Sequence, residues 1–365
     1  MAIPFADHLK DIPGYIPGKP VEELERELGI REAIKMASNE NFWGPPPKVK
    51  QAISDKIKEL NLYPDSSCFL LRERLSEKFG VESSQVIVGH GSNYLIELIA
   101  RSVLNPGDEG ITCDPSFAFY QRAIKGAIGS HKSVPLINFE VDLENLMNSL
   151  SDRTRLIFLG SPNNPTGKII PFPKLRRFMD LLKPEILVVL DEAYFHYVDP
   201  SDARSGLDLL KDHQNLIVLR TFSKIYSLAG LRIGFGIAHA LIIQSLMKLY
   251  LPFNVGILDQ AAALAVLGEE DFLKEIRRIN QEGKRYLYKA LSDLGLEFIP
   301  SDANFILIRV GKASNVYEGL LKKGIIVRDM TPWRLPDHIR VTISLPENNE
   351  RFIRELQIIL AGRRL

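Results

Sequence analysis

Two stretches decide the fold: Ile186-Leu-Val-Val-Leu190 running straight into Asp191-Glu-Ala-Tyr194, and Leu216-Ile-Val-Leu219 running into Arg220-Thr-Phe-Ser-Lys224. Each is a short apolar run with no alternation, so neither face meets water. Each ends abruptly on charged and polar residues. Three earlier runs share this texture: Val86-Ile-Val88, Gly110-Ile-Thr-Cys113 and Leu156-Ile-Phe-Leu159. Apolar strands separated by helical stretches describe a parallel sheet covered on both sides. Arg232-Ile-Gly-Phe-Gly-Ile237 follows within a short connection and reads as an antiparallel addition. The fold class is therefore α/β.

In such a sheet the ligand lies outside the carboxyl ends of the strands. After Val88 comes Gly89-His-Gly-Ser-Asn93 and then a helix, whose free N–H groups suit an anion; taken alone, this is also an ordinary helix cap. Leu159 is followed by Gly160-Ser-Pro-Asn-Asn-Pro-Thr-Gly167, either a tight loop or an Asn amide aimed at a ligand oxygen. An apolar strand ending in Asp191-Glu192 also resembles the magnesium-binding strand of a P-loop ATPase, but Gly-x-x-x-x-Gly-Lys-Ser/Thr is nowhere in the chain. Lys224 is by itself compatible with a solvated loop. Asp114–Pro115 and Asn164–Pro165 stand at this same edge and are expected as cis peptide bonds.

Beyond the sheet, 365 residues exceed one hydrophobic core, so two domains are expected. After about Asn254 the pattern changes to a long helix near Asp271–Leu294, strand-like runs near 304–308, 325–327 and 339–343, and a last helix from Glu347, which reads as α+β. The first 35 residues, rich in Pro and Gly before a helix through Glu22–Leu28, read as an arm. The expected division is an arm over 1–35 packing with the small domain, a large domain over 36–255 and a small C-terminal domain over 256–365. A net charge of +1 without a dense Lys/Arg stripe argues against nucleic acid as a partner. Cys68 and Cys113 make neither a disulfide framework nor a metal set, and no metal is expected. The N-terminus lacks a signal-peptide pattern, and the longest apolar region is too polar for a bilayer. A cytoplasmic protein with no membrane partner is expected.

One sheet edge thus collects an aspartate, a tyrosine, a lysine and a set of phosphate ligands, which is what a pyridoxal 5'-phosphate (PLP) site needs. Ser161-Pro-Asn-Asn-Pro-Thr-Gly167, Asp191-Glu-Ala-Tyr194 and Ser223-Lys-x-x-x-Leu-Ala-Gly-Leu-Arg232, in this order and spacing, resemble the class I/II aminotransferases of PLP fold type I. Within them the chain is most similar to the histidinol-phosphate aminotransferase family, through Tyr15-Ile-Pro-Gly-Lys-Pro20, Ala37-Ser-Asn-Glu-Asn41, Tyr63-Pro-Asp65, Gly324-Ile-Ile-Val-Arg-Asp329 and Ile339-Arg-Val-Thr342. Phe42-Trp43 and Ser344 depart from the usual pattern, and Trp43 is expected to adjust the pocket wall.

The resemblance implies roles. Lys224 forms the Schiff base and moves the proton, Asp191 pairs with the pyridine N–H, and Tyr194 and Asn164 hydrogen-bond the ring oxygen. Ser223, Arg232 and the Ser92–Asn93 region take the cofactor phosphate, and Phe117 stacks on the ring. Tyr63 reaches the cofactor phosphate of a neighbouring subunit, implying a homodimer with shared sites. Tyr15, Asn39, Arg328 and Arg340 bind the amino donor, the two arginines taking its phosphate; 2-oxoglutarate is the amino acceptor. The rivals are an aromatic amino-acid aminotransferase, a threonine-phosphate decarboxylase and, remotely, an aminotransferase-like regulator domain.

Overall fold

The structure, a computed structural model, describes residues 5–12, 14 and 18–362. Strand β1, Ile34–Lys35, precedes seven strands that form one sheet: β2 (Val86–Gly89), β3 (Glu109–Asp114), β4 (Ser130–Pro135), β5 (Thr154–Gly160), β6 (Leu187–Asp191), β7 (Leu216–Thr221) and β8 (Gly234–Ala238). Their order is β2-β8-β7-β6-β5-β3-β4. Neighbours are parallel except β8, which runs antiparallel to both β2 and β7. The antiparallel strand expected after Arg232 is present as β8, an interior member of the sheet between β2 and β7. Strand β4, polar and with only Val134 buried, escaped the apolar pattern because its faces are left largely uncovered.

The parallel strands are buried on both faces, as their sequences require. Ile157, Leu159, Val188, Leu190 and Val218 join one apolar cluster, while their alternating neighbours Leu156, Phe158, Val189 and Ile217 join another. The carboxyl ends of β2, β3, β5, β6 and β7 consequently share one edge, where β8 begins. Asp191 ends β6 opposite Gly160 on one side and Leu219 on the other, and Thr221 and Gly89 both face Gly234.

The remaining strands are β9 (Phe298–Ile299), β10 (Phe305–Arg309), β11 (Ile325–Ile326), β12 (Arg328–Asp329) and β13 (His338–Thr342). Four make an antiparallel sheet in the order β12-β13-β10-β9, and β11 pairs in parallel with β1. A separate core of Ile306, Ile308, Ile339, Val341, Leu287 and Leu291 lies under this sheet. The 24-residue helix Glu270–Asp293 bridges the two regions, with Leu273 and Ile276 in the large core and Leu287 and Leu291 in the smaller one. Leu24 of the helix Val21–Leu28 packs with Ala37 and Ile326. We propose the division into arm, large domain and small domain at 35 and 255, with the long helix as the tie between the latter two.

Behind the shared edge lies a buried ion pair. Glu192, next to Asp191 but facing inward, accepts from Arg220 Nε at 3.1 Å and Nη2 at 2.7 Å, from Ser205 Oγ at 2.8 Å and from Gly206 N at 2.7 Å. The guanidinium lies over the rings of Phe79 and Phe195. Breaking a buried pair by removing one partner is costly, because the other charge remains in a dry site. Arg220→Met is therefore expected to cost about 3–5 kcal/mol in urea unfolding of the cofactor-free protein. Adding Glu192→Gln to it should recover part of that loss.

Candidate active site

Above the shared edge is a cavity of about 210 Å³. It is lined from the large sheet by Ser92, Asn93, Phe117, Asn164, Asp191 and Tyr194, and by Ser223, Lys224 and Arg232 just after β7. From the other side come Asn39, Arg328 and Arg340. Every candidate residue named from the sequence meets here except two. Tyr63 is 82% exposed and stacks on Phe253 at 4.7 Å, away from this cavity. Tyr15 lies outside the described residues.

The anion end is built by backbone. The helix Gly91–Val103 starts without a side-chain cap, and Ser92 and Asn93 of its first turn, at the positive end of the helix dipole, line the cavity. Gly91 holds φ +75°, and a Cβ there would meet Arg232 Nη2 at 3.0 Å. A Cβ on Gly234 would strike the Ser92 nitrogen at 2.7 Å. The two glycines thus let Arg232 and the helix start converge. Arg232 also donates to Ser223 Oγ at 3.2 Å and to the Ala229 carbonyl at 3.0 Å.

At the opposite end, Asp191 is 6% exposed. Its Oδ1 accepts from the Ala193 N–H at 3.1 Å and its Oδ2 from the Tyr120 hydroxyl at 2.8 Å. Burial pushes this carboxyl up to about 6 from an ordinary 3.8, against the pull of those hydrogen bonds. Tyr120 was not foreseen. Its ring lies flat against Phe158 at 5.1 Å and edge-on to Phe117 at 5.5 Å. Its place three residues past Phe117, across a turn closed by Tyr120 N to Phe117 O at 3.1 Å, was the available signal.

Between these ends, Lys224 Nζ donates to the Ser38 carbonyl at 3.1 Å and lies 5.5 Å from the centre of the Tyr194 ring. The Tyr194 hydroxyl accepts from Asn39 Nδ2 at 2.9 Å, which leaves its own proton free to point into the cavity. Asn39 Oδ1 accepts from Thr342 at 3.3 Å. Arg340 donates to Asn164 Oδ1 and, at 2.6 Å, to the Ala37 carbonyl. Arg328 and Arg340 are direct cross-strand partners on β12 and β13. Ser38, Thr221 and Trp333, none singled out from the sequence, complete the lining.

Two expectations change. Among the described residues the cis bonds are Asp114–Pro115, as expected, and Ser161–Pro162, while Asn164–Pro165 is not cis. The Asn163–Lys168 loop closes through Asn163 N to Lys168 O at 2.8 Å and Gly167 N to Asn163 O at 2.7 Å. Trp43 does not form the pocket wall. Asn41 ties the segment to the Ile225 carbonyl at 3.0 Å, and Trp43 packs on the large core. Ser344 is buried in contact with Asn348 and Asn349 of the last helix, away from the cavity. No group of three or more His, Cys, Asp or Glu that could hold a metal occurs among the described residues, nor any helix long and apolar enough to cross a membrane.

The family model "aminotransferase class I and II" matches residues 31–356. The chain belongs to this family. The aminotransferase is 43% identical over 354 residues to histidinol-phosphate aminotransferase 2 of Carboxydothermus hydrogenoformans, covering 96% of this chain and 98% of that protein. It is 43% identical to the histidinol-phosphate aminotransferase of Moorella thermoacetica, covering 95% and 90%. Its structure matches the histidinol-phosphate aminotransferase of Sinorhizobium meliloti, solved in complex with pyridoxal-5'-phosphate, with a TM-score of 0.91, 28% identity and 98% of each chain covered. The decarboxylase of L-threonine-O-3-phosphate from Porphyromonas gingivalis shares the fold, with a TM-score of 0.80 at 23% identity over 90% of this chain and 99% of that one.

The raised Asp191 carboxyl has a consequence for this aminotransferase without its cofactor. In the fold the group binds its proton more tightly than in the unfolded chain. Its stabilising effect is therefore fully present below about pH 4 and is lost as pH rises through about 6. Asp191→Asn cannot ionise. Relative to wild type, the cofactor-free variant should gain about 2 kcal/mol of stability between pH 4.5 and 7.5. Thermal unfolding at the two pH values checks the sign.

Proposed function

We propose that this aminotransferase uses PLP to convert L-histidinol phosphate and 2-oxoglutarate to imidazole acetol phosphate and glutamate, in histidine biosynthesis. One observation carries the substrate assignment: two arginines, Arg328 and Arg340, stand directly opposite each other across β12 and β13 and line the same cavity. Like charges at opposed positions repel. A carboxylate needs one of them; a phosphate dianion, with three acceptor oxygens, uses both. The names of the relatives at 43% identity support the same choice.

The residues suit PLP. The helix start at Ser92–Asn93, with Ser223 and Arg232, would hold its phosphate, and the two glycines give that group its room. Phe117 would cover a ring face. Asp191 would hold the proton on the ring nitrogen, and that cation offsets the burial that raises its carboxyl. Tyr194, its hydroxyl oriented by Asn39, and Asn164, its Oδ1 taken by Arg340, would each have a donor left for the ring oxygen. When bound, the cofactor supplies an electron sink for the substrate carbon that bears the amino group. The Lys224 amine would bond the cofactor at rest and, once released, take and return the proton at that carbon. Asn39 borders the substrate space while its amide holds Tyr194, and Tyr15 is assigned to the same end by resemblance.

We further propose a homodimer in which Tyr63 completes the neighbour's site. Tyr63 sits among exposed apolar side chains of one segment, Ile57, Leu60, Leu62, Phe69 and Leu70, and contacts Phe253. Several large exposed apolar side chains in one segment suit an isologous contact. We assign the enzyme to the cytoplasm; its two buried free cysteines suit a reducing compartment.

Arg328→Ala is expected to lower kcat/KM for histidinol phosphate by about 30- to 1000-fold, roughly 2–4 kcal/mol, with a much smaller effect on phenylalanine as amino donor. An equal loss on both substrates would refute the phosphate assignment in favour of a carboxylate, and with it favour an aromatic aminotransferase. The shared site is tested by mixing Tyr63→Ala and Lys224→Ala protomers, each inactive alone. Heterodimers should regain activity at one of their two sites, and mixed dimers as inactive as the parents would sink the idea.

A further inference from the structure

Trp333 lines the cavity, yet neither the sequence pattern nor the roles above use it. It ends a short turn, Thr331–Trp333, that leaves β12 just after Arg328 and Asp329. Its ring lies 4.8 Å from the Arg328 guanidinium carbon. Its indole N–H donates to the Ser116 carbonyl at 3.1 Å. Ser116 directly precedes Phe117.

We propose that Trp333 is a specificity-determining positioning residue: it holds Arg328 in the orientation that receives the anionic group of the substrate. The inference rests on the assignment of Arg328 to the substrate phosphate.

An arginine set directly across from Arg340 on a two-residue strand is driven away by its neighbour's charge and has a long, rotatable stem. A guanidinium stacked on an aromatic face loses that freedom but keeps its N–H groups, which lie in its plane, for hydrogen bonds with a phosphate. The ring can do this only if it is itself held. Its backbone N–H bonds the Met330 carbonyl at 2.9 Å, and Met330 N bonds the His338 carbonyl at 3.2 Å, so the turn is tied to the start of β13. The indole N–H supplies the other anchor, on the loop that carries Phe117. Arg334 also reaches Asp114 at 3.1 Å, but its side chain is 85% exposed and this pair adds little. Trp333 thus joins the substrate arginine of one sheet to the cofactor-covering loop of the other, and it acts through Arg328.

The test is steady-state kinetics of the PLP-loaded enzyme with histidinol phosphate and with phenylalanine for Trp333→Leu, Trp333→Phe and Arg328→Ala. Trp333→Leu should raise KM for histidinol phosphate by about 3- to 30-fold, the range a cation–π contact is worth, with kcat changed far less and phenylalanine almost unaffected. Trp333→Phe keeps the face but loses the indole anchor on Ser116, so it should recover only part of that KM. A second readout uses the fact that the chain has two tryptophans, Trp43 and Trp333. In a Trp43→Phe background, titrating inorganic phosphate into the loaded enzyme should change the Trp333 emission saturably, and Arg328→Ala should remove the response. Equal losses on both substrates, an unchanged KM, or an emission indifferent to phosphate would each overturn the proposal. If Arg328→Ala is selective while Trp333→Leu is not, only the role of Trp333 fails. If Arg328→Ala is not selective, the phosphate assignment fails first and this inference goes with it.

Discussion

The buried pair between Glu192 and Arg220 is the constraint on which the site depends. Glu192 follows Asp191 at the end of β6, and Arg220 precedes Lys224 by one turn of chain after β7. Two full charges in a dry interior persist only in tight, fully hydrogen-bonded geometry, and Ser205 and Gly206 complete it. The pair therefore locks the ends of two adjacent strands together. Glu192, held inward just past the end of β6, fixes the chain beside Asp191, which lines the cavity. Asp191 and Lys224, the acid proposed for the ring nitrogen and the lysine proposed for the reacting carbon, are held at one spacing by an interaction that touches neither.

A second constraint crosses from the C-terminal sheet. Strand β13 carries Arg340, which engages Asn164, and Thr342, which engages Asn39 and through it Tyr194. Both groups that face the expected position of the ring oxygen are thus oriented by one strand outside the large sheet. Asn and Tyr side chains can each donate or accept, so these contacts decide which proton is offered to the cavity. Arg340, proposed for the substrate, and Asn164 and Tyr194, proposed for the cofactor, consequently share a short chain of hydrogen bonds.

Much of this was legible in the residues. Apolar runs ending on Asp191, Thr221 and Gly160 announced the parallel sheet and its functional edge, because burial on both faces leaves no other reading. What escaped had weak local signals. Strand β4 is polar because its faces are largely uncovered, unlike β2 at the opposite rim. Tyr120 and Trp333 look like ordinary core or surface aromatics until the fold brings them to the cavity. Trp43, which stood at an unusual position in its motif, turned out to pack on the core because Asn41 turns the segment back toward Ile225.

The sequence by itself determined the sheet, the edge and the identity of the groups gathered there, since hydrophobic period and strand-end chemistry are local properties. The partnerships were left to the tertiary structure. That Arg328 opposes Arg340 depends on the pairing of β12 with β13, while that Asn39 spends its amide on Tyr194 and that Trp333 reaches Ser116 join positions 155 and 217 residues apart. Such contacts depend on how two sheets dock, and no periodicity along the chain records it.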